Sequence, residues 1–360
     1  MIVEKLELKN FRNYENLSID FSDNVNIIYG DNAQGKTNII EGIYLCSTTR
    51  SHKGSKDRDM IKIGSDAANL KMYLKKDTFN YKFEIILNKN AKKNIFINGT
   101  PIKRAADLYG IANIVLFSPE DLNMIKNGPA ERRKFMDAEL CQINRLYFKY
   151  LAKYNKILDE RNELLKKMNG DANAEDTLFV WDRQLIEAGS FIIKERENFI
   201  NELNEIILGI HEQISGGKEN LVIKYVPNVS YDGFSETLKK NLGKDLYNKT
   251  TSVGPHRDDI EFYIKDKNVR VYGSQGQQRT VALSLKLSEI ELVKRKIGEN
   301  PILLLDDVLS ELDRTRQQSL LNFIEGIQTI ITCTGLEEFV GYRINQNTLF
   351  KVKNGEIEKI

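Results

Sequence analysis

Eight residues of the chain, GDNAQGKT at positions 30–37, place two glycines around a four-residue gap and follow the second with lysine and threonine. Glycine at those corners permits backbone dihedrals that other residues resist, so successive N–H groups can turn inward on phosphate oxygens. Lys36 supplies a point charge for the β- and γ-phosphates and Thr37 a hydroxyl for Mg²⁺. The helix expected to follow aims its positive end at the same anion. Gly30, Asp31, Asn32, Ala33, Gln34, Gly35, Lys36, Thr37 and Asn38 are therefore assigned to a nucleotide. Such a loop works with an apolar strand that ends in acid. PILLLDDV at 301–308 supplies one, with Asp306 as the expected carboxylate on the Mg²⁺ side and Asp307 placed to polarise an attacking water. The candidate catalytic residues are Asp307 and Lys36, and the candidate metal-holding residues Thr37 and Asp306.

Some 270 residues separate Lys36 from Asp306, whereas small GTPases and nucleotide kinases are compact between these motifs. No guanine reader is present, since NKNA and NKTT both lack its aspartate. Just ahead of the acidic strand stands YGSQGQQRTVALSLKLSEIELVKRK, a glycine-containing turn that opens a long helix. Its polar start, Ser274, Gln275, Gly276, Gln277 and Gln278, is a second place where free N–H groups and the helix dipole attract an anion.

The elements that must position these groups are legible from periodicity. Val3, Leu6 and Leu8, then Leu17, Ile19 and Phe21, alternate as strands do, and VNIIYG reads as a buried strand running into the loop. TNIIEGIYLCS has helical spacing through Ile39, Ile40, Ile43 and Tyr44. Residues 68–100 alternate again, with a turn at NGTP, as an antiparallel section, and NIVLFSPEDL is a further buried strand. From 130 to 168 the spacing predicts one long helix, broken by NGDAN at 169–173; a second runs from about 176 to 214. The pair reads as a helical hairpin or small lobe, too short for a long coiled-coil arm. Strand character returns at 221–226 and 260–272, with a turn at DKN. The tail follows as PILLLDDV, a helix near 312–325, TIITCT and a final hairpin.

At 360 residues the chain has room for two domains, and 41% hydrophobic with 29% charged residues is ordinary globular composition. A net charge of +2 means that any nucleic-acid surface must be a local patch. Cys46, Cys141 and Cys333 are few and scattered, which argues against a disulfide framework and for a reducing compartment. His52, His211 and His256 lie far apart in sequence, which argues against a histidine-based metal site. MIVEKLELKN is charged from residue 4 and shows no signal-peptide pattern, and no stretch approaches the ~18 apolar residues of a membrane span. The expected location is the cytoplasm, with the nucleoid.

The loop, the second glycine turn and the acidic strand together resemble the ABC-type ATPases of DNA maintenance. LKNFRNYENLSIDFSDNVNIIYGDNAQGKTNIIEGIYL, FSPEDLNMIKNGPAERRKFMD, TSVGPHRDDIEFYI and YGSQGQQRTVALSLKLSEI narrow the likeness to the RecF family of bacterial recombination mediators. GPHRDD beside GSQGQQR, without a coiled-coil arm, is the specific part. The resemblance implies an α/β P-loop NTPase fold, an ABC/SMC-like head with a mixed β-sheet lobe and a mainly helical second lobe. It divides the chain into a first-lobe part at 1–127 with the phosphate loop, a helical lobe at 128–250, and a part at 251–360 with the signature turn and acidic strand. It also implies ATP and Mg²⁺ as cofactors. Ser274, Gln275 and Gly276 would touch the γ-phosphate of a nucleotide on the opposite copy, so that ATP drives a homodimer. Ser310, Glu311, Leu312 and Asp313 look like the family's D-loop. By resemblance the dimer clamps double-stranded DNA near gaps or single-strand/double-strand junctions, helps load recombinase with RecR and RecO, and is reset by slow hydrolysis.

The chain departs from the wider ABC pattern in places. Asp307 stands where glutamate is usual, one methylene shorter, which predicts slow turnover. No histidine follows TIITCT; Thr332 or Thr334 is left as a candidate γ-phosphate sensor, and no glutamine is assigned after NIVLFSPED. Arg12 in NFRNY either reaches the nucleotide or lies on the surface, and His256 with Arg257 either face an interface or are structural. TRSHKGSKDR, with Arg50, Lys53, Lys56 and Arg58, is a basic loop. Residues 126–167 hold eleven Lys/Arg against six Asp/Glu, with Arg132, Arg133 and Lys134 at a helix start and Lys149, Lys153 and Lys156 along one face. Each stretch suits DNA phosphates or is only a solvated face. Tyr147, Tyr150 and Tyr154 are expected to pack rather than stack on bases. The alternatives are a transporter ATPase subunit, which the absent switch histidine disfavours, a small-molecule P-loop kinase acting without a signature helix, and a DNA tether, which would need a coiled coil.

Overall fold

The computed structural model describes residues 1–104, 107–167, 172–217, 219–336 and 348–360, with the backbone alone at 172–176. The chain folds as two compact units, Met1–Asp121 with Glu289–Ile360, and Leu122–Ser288. The expected boundary at 127/128 falls instead at 121/122, and the one at 250/251 moves to 288/289. The second shift arises because the strand Asp259–Ile264 pairs with Leu221–Val226, so residues beyond 250 complete the second unit.

Among the described residues the first unit holds two six-stranded sheets. One is antiparallel, in the order Tyr14–Asp20, Ile2–Phe11, Ala67–Lys75, Asn80–Asn88, Asn94–Ile97 and Thr100–Pro101. The period-two pattern builds it: Leu6 lies opposite Ile19 on one side and Met72 on the other, and Leu8 opposite Leu17 and Leu70. The other sheet runs Glu356–Lys359, Thr348–Lys353, Val25–Tyr29, Thr329–Cys333, Ile302–Asp306 and Ile114–Phe117. Only its first strand is antiparallel to its neighbour. Ile302–Asp306 and Thr329–Cys333 are buried at every position, the pattern of parallel strands covered on both faces. The helix Lys36–Thr48 contributes Ile39, Ile40 and Ile43, all fully buried, to a core that also takes Leu6 and Leu8 from one sheet and Ile28 and Leu304 from the other. Each such side chain contributes roughly 1.5–3 kcal/mol by leaving water. Gly42 lets the helix close on the antiparallel sheet, since a Cβ there would meet Leu8 Cδ2 at 3.0 Å.

The second unit is mainly helical around a three-stranded antiparallel sheet of Leu221–Val226, Asp259–Ile264 and Lys267–Asn268. The single helix expected over 130–168 is two, Pro129–Ile143 and Arg145–Lys167. Asn144 is extended (φ −137°), and its Oδ1 accepts from the N–H groups of Leu146 and Tyr147, a side-chain cap that starts the second helix. The expected turn at 169–173 lies largely outside the described residues, and the long helix that follows spans Ala172–Ser215. The strand expected over 260–272 stops at Ile264. Lys265 and Asp266 turn the chain with φ 48° and 63°, and Asn268 caps a helical turn at Val269–Tyr272. Two short helices, Phe234–Lys240 and Leu242–Asn248, had no counterpart in the sequence reading. Tyr147 and Tyr154 are buried, and Tyr150 stacks on Phe191 at 4.2 Å, so all three pack. All three cysteines are buried, and none is in a disulfide.

Two arginines neutralise the interior of this unit. Arg161, fully buried, donates to Asp182 at 2.6 Å and to Asp245 and Thr251 at 2.8 Å. Arg196 donates to Tyr147, Pro255, Asp258 and Asp137 at 2.7–3.0 Å. His256 belongs to the same interior. Because a carbonyl can only accept, its Nε2–H donates to Thr251 O at 3.1 Å, and Nδ1 receives the Tyr154 hydroxyl at 2.7 Å. Both ring nitrogens are thus hydrogen-bonded within the unit, as the structural reading of this histidine expects.

Candidate nucleotide site

The loop leaves the strand Val25–Tyr29 and enters the helix Lys36–Thr48. Gly30 has φ 151° and Gly35 φ 109°, and Ala33 between them is left-handed at φ 63°. A Cβ on Gly30 would run into the carbonyl oxygen of Val352, and one on Gly35 into the amide of Asn13. The glycines are thus required by close approach as well as by dihedral. Asn13 braces the loop from outside, donating to Gln34 O at 3.0 Å and accepting from Asn38 at 2.7 Å. The Asn354 N–H, in the last hairpin, donates to Gln34 Oε1 at 2.5 Å. Tyr14 donates its hydroxyl to Gly35 O at 3.1 Å. Lys36 is almost buried, its ammonium donating to Gly30 O at 2.6 Å and Asp31 O at 2.9 Å.

Asp306 ends its strand beside this loop. Its Oδ1 accepts from Thr37 at 2.8 Å and from Thr332 at 2.7 Å. Asp307 turns off the sheet with φ 57°, its N–H shared between Thr332 O at 3.2 Å and Thr332 Oγ1 at 3.0 Å. Its buried Oδ1 has no partner. Burial pushes the Asp307 carboxyl above its ordinary range, against the opposing pull of the Lys36 charge. A cradle of two glycines, a lysine, a threonine and two adjacent acids fits a Mg²⁺-bound nucleoside triphosphate. Thr332 is engaged with both acids and Thr334 lies beyond the strand, so the hydroxyl left open as a γ-phosphate sensor is spent on the acids at position 332.

Arg12 lies in the same unit, tied elsewhere. Its guanidinium grips Glu41 through two bonds of 2.7 Å and donates to Ser55 Oγ at 2.6 Å and Asp59 O at 2.9 Å. Burial pushes the Glu41 carboxyl up, and the bonds from Arg12 and Ser51 more than reverse this, holding it below its ordinary range. Arg12 thus anchors the basic loop to the helix that follows the phosphate loop. Within that loop Arg50, Lys53 and Lys56 are exposed, while His52 packs edge-on against Tyr44 with both ring nitrogens shielded and without partners. Glu41 and Asn13 escaped the sequence reading; the only signal was their place in FRN and in the helix after the loop.

In the second unit, residues 274–278 start the helix Gln275–Ile297. Ser274 N–H donates to Gln277 Oε1 at 2.9 Å and Gln277 N–H to Ser274 Oγ at 3.2 Å, a reciprocal capping box. Gln277 also donates to Glu219 at 2.8 Å. Of the basic cluster at 132–134, Arg132 is buried against Asp259 and Arg133 donates to Asp258 O, so two of those three cations serve packing. Lys134 and Lys153 pair with Glu131 and Glu187, and Lys149 and Lys156 are exposed. In the D-loop segment Ser310 donates to Asp307 O at 2.9 Å and Asp313 caps the helix Arg314–Phe323.

The family model for the RecF/RecN/SMC N terminal domain matches residues 2–357. The chain is 56% identical over 359 residues to the DNA replication and repair protein RecF of Lachnoclostridium phytofermentans, covering 100% of both chains. It is 46% identical over 366 residues to RecF of Clostridium botulinum, again over 100% of both. Among solved structures, the recombination mediator protein RecF-ATPrS in the RecFOR pathway superposes with a TM-score of 0.92 at 38% identity, over 100% of this chain and 98% of that one. The SMC head bound to the C-winged helix domain of ScpA, at 17% identity, 100% and 97% coverage and a TM-score of 0.59, shares the fold.

Proposed function

The chain belongs to the RecF family, and from that membership we propose an ATPase of DNA replication and repair whose nucleotide sites close only between two copies. The observation that carries this is the Thr37–Asp306 bond of 2.8 Å, which joins residues 269 positions apart at the mouth of the phosphate loop. The N–H groups of residues 30–38 hold the phosphates, and Lys36 exchanges its two carbonyl partners for phosphate oxygens. Thr37 and Asp306 hold Mg²⁺, which when bound offsets the charge developing on the transferred phosphoryl group. Asp307 orients the attacking water; its raised proton affinity suits a proton acceptor, and its short side chain makes for slow turnover.

The capping box supports a role for the signature turn in trans. Ser274 Oγ accepts from Gln277, which leaves its own O–H to donate, alongside the helix-terminal N–H groups, to the γ-phosphate held by the opposite copy. ATP then touches both copies and stabilises only the pair. The solved RecF relative is a recombination mediator of the RecFOR pathway. On that ground the pair is read as a clamp on double-stranded DNA near gaps or junctions, acting with RecR and RecO. Arg50, Lys53 and Lys56 are its exposed phosphate-seeking cations.

Sizing the protein with and without ATP tests this. The wild type should double in mass on ATP. Lys36→Met should lose ATP binding and the shift together, and Ser274→Arg should bind ATP and stay single. Normal association of Ser274→Arg on ATP would remove the shared site.

A further inference from the structure

We infer that Thr332 is a positioning residue for ATP hydrolysis, its one hydroxyl setting both the metal-side carboxylate of Asp306 and the backbone of Asp307; this rests on the function proposed above. The hydroxyl donates to Asp306 Oδ1 at 2.7 Å and accepts from the Asp307 N–H at 3.0 Å. Both its hydrogen and a lone pair are therefore committed to neighbouring acids. The strand Thr329–Cys333 lies between Val25–Tyr29, which feeds the phosphate loop, and Ile302–Asp306, which carries the acids, with Thr332 opposite Ile28 and Asp306. Thr332 is 1% exposed, so its bonds are not exchanged with water.

Two features make this contact more than a satisfied core threonine. Asp306 Oδ1 takes a second hydroxyl, that of Thr37, at 2.8 Å, so the carboxylate is gripped from the loop side and the strand side and its rotation is fixed. Asp307 is a non-glycine residue held left-handed at φ 57°, and among the described residues its N–H donates to Thr332 alone, through the carbonyl O and Oγ1. The hydroxyl, with the Thr332 carbonyl, thus helps set the direction in which the Asp307 side chain leaves the sheet. Valine has the same branched shape and strand preference but neither donates nor accepts, so it removes the two bonds and little else.

The test compares wild type with Thr332→Val, Thr332→Ser and Asp307→Asn. In Thr332→Val the turnover number should fall about tenfold or more while the ATP concentration for half-maximal rate moves less than about threefold. Thr332→Ser, which keeps the hydroxyl, should stay within about threefold of wild type in both. A second readout needs no turnover: the gain in affinity for a non-hydrolysable ATP analogue on adding Mg²⁺ should shrink about tenfold in Thr332→Val and persist in Thr332→Ser, because only the former frees Asp306. If the valine form does not fold, Thr332→Ala against Thr332→Ser carries the same comparison. Turnover and Mg²⁺ gain near wild type in the hydroxyl-free variant, with Asp307→Asn inactive, would overturn the inference and leave the proposed function standing. Asp307→Asn turning over normally would instead overturn the assignment of the acids, and the inference with it.

Discussion

Acidification should loosen the second unit through His256. Burial is the main reason its pKa drops from the ordinary 6.5 to about 4; the neighbouring Arg257 and Arg133 push the same way, and the Thr251 carbonyl and Asp245 push back. The geometry shows what a proton would break, since Nδ1 already receives the Tyr154 hydroxyl. A histidine with a depressed folded value binds its proton more readily in the unfolded chain. Stability is therefore unaffected well above 6.5, falls as pH drops through 6.5, and stops falling near the folded value of about 4. The full span corresponds to about 3 kcal/mol, of which about 2 kcal/mol is lost by about pH 5. Urea unfolding followed by the fluorescence of Trp181, the chain's one tryptophan, reports on this unit. His256→Gln can keep both hydrogen bonds and cannot titrate. The stability gap between wild type and this variant should narrow by about 2 kcal/mol between about pH 7.5 and pH 5, and the titrations of His52 and His211 cancel in the difference. A gap constant to within about 0.5 kcal/mol across that range would refute the reasoning.

Two other perturbations test the frame around the site. Gly30→Ala meets both a φ of 151° and the Val352 carbonyl, whereas Gly64→Ala meets a φ of 91° with nothing near. Both should lose about 1–3 kcal/mol in thermal unfolding from strain, and only Gly30→Ala should also lose ATP binding; equal behaviour would mean that the Val352 contact is immaterial. Arg161→Met leaves Asp245 buried and uncompensated, so it should cost about 3–5 kcal/mol in urea unfolding, and a loss below about 1 kcal/mol would show the cluster to be dispensable.

The loop, its flanking strand and helix, and the acidic strand were legible because each is a local pattern: glycine spacing, an apolar run, a helical repeat. What the sequence did not reveal depends on distant partners. Arg12 was legible as a cation near the loop, but its bond to Glu41 forms only once the segment at residue 12 lies against the helix Lys36–Thr48. Arg132 and Arg133 looked like a DNA-facing cluster, and their engagement with Asp259 and Asp258 spans more than 120 residues. The break at Asn144 was available locally, since asparagine is a strong helix N-cap, but a continuous apolar spacing from Phe135 to Leu158 masked it. Thr332 was legible only as a candidate γ-phosphate sensor after an apolar strand; its bonds to the two acids exist only once two strands lie side by side.

The strand that feeds the phosphate loop, Val25–Tyr29, is flanked by Thr329–Cys333 and Thr348–Lys353. Both neighbours are made roughly 300 residues after the loop. At about 5–20 residues per second, the nascent loop waits some 15–60 s without a complete sheet beneath it. A growing chain therefore has no competent ATP pocket until the strands at 329–333 and 348–353 have been made. A stop just before residue 348 would remove one wall of that pocket together with the Asn354 clasp on Gln34.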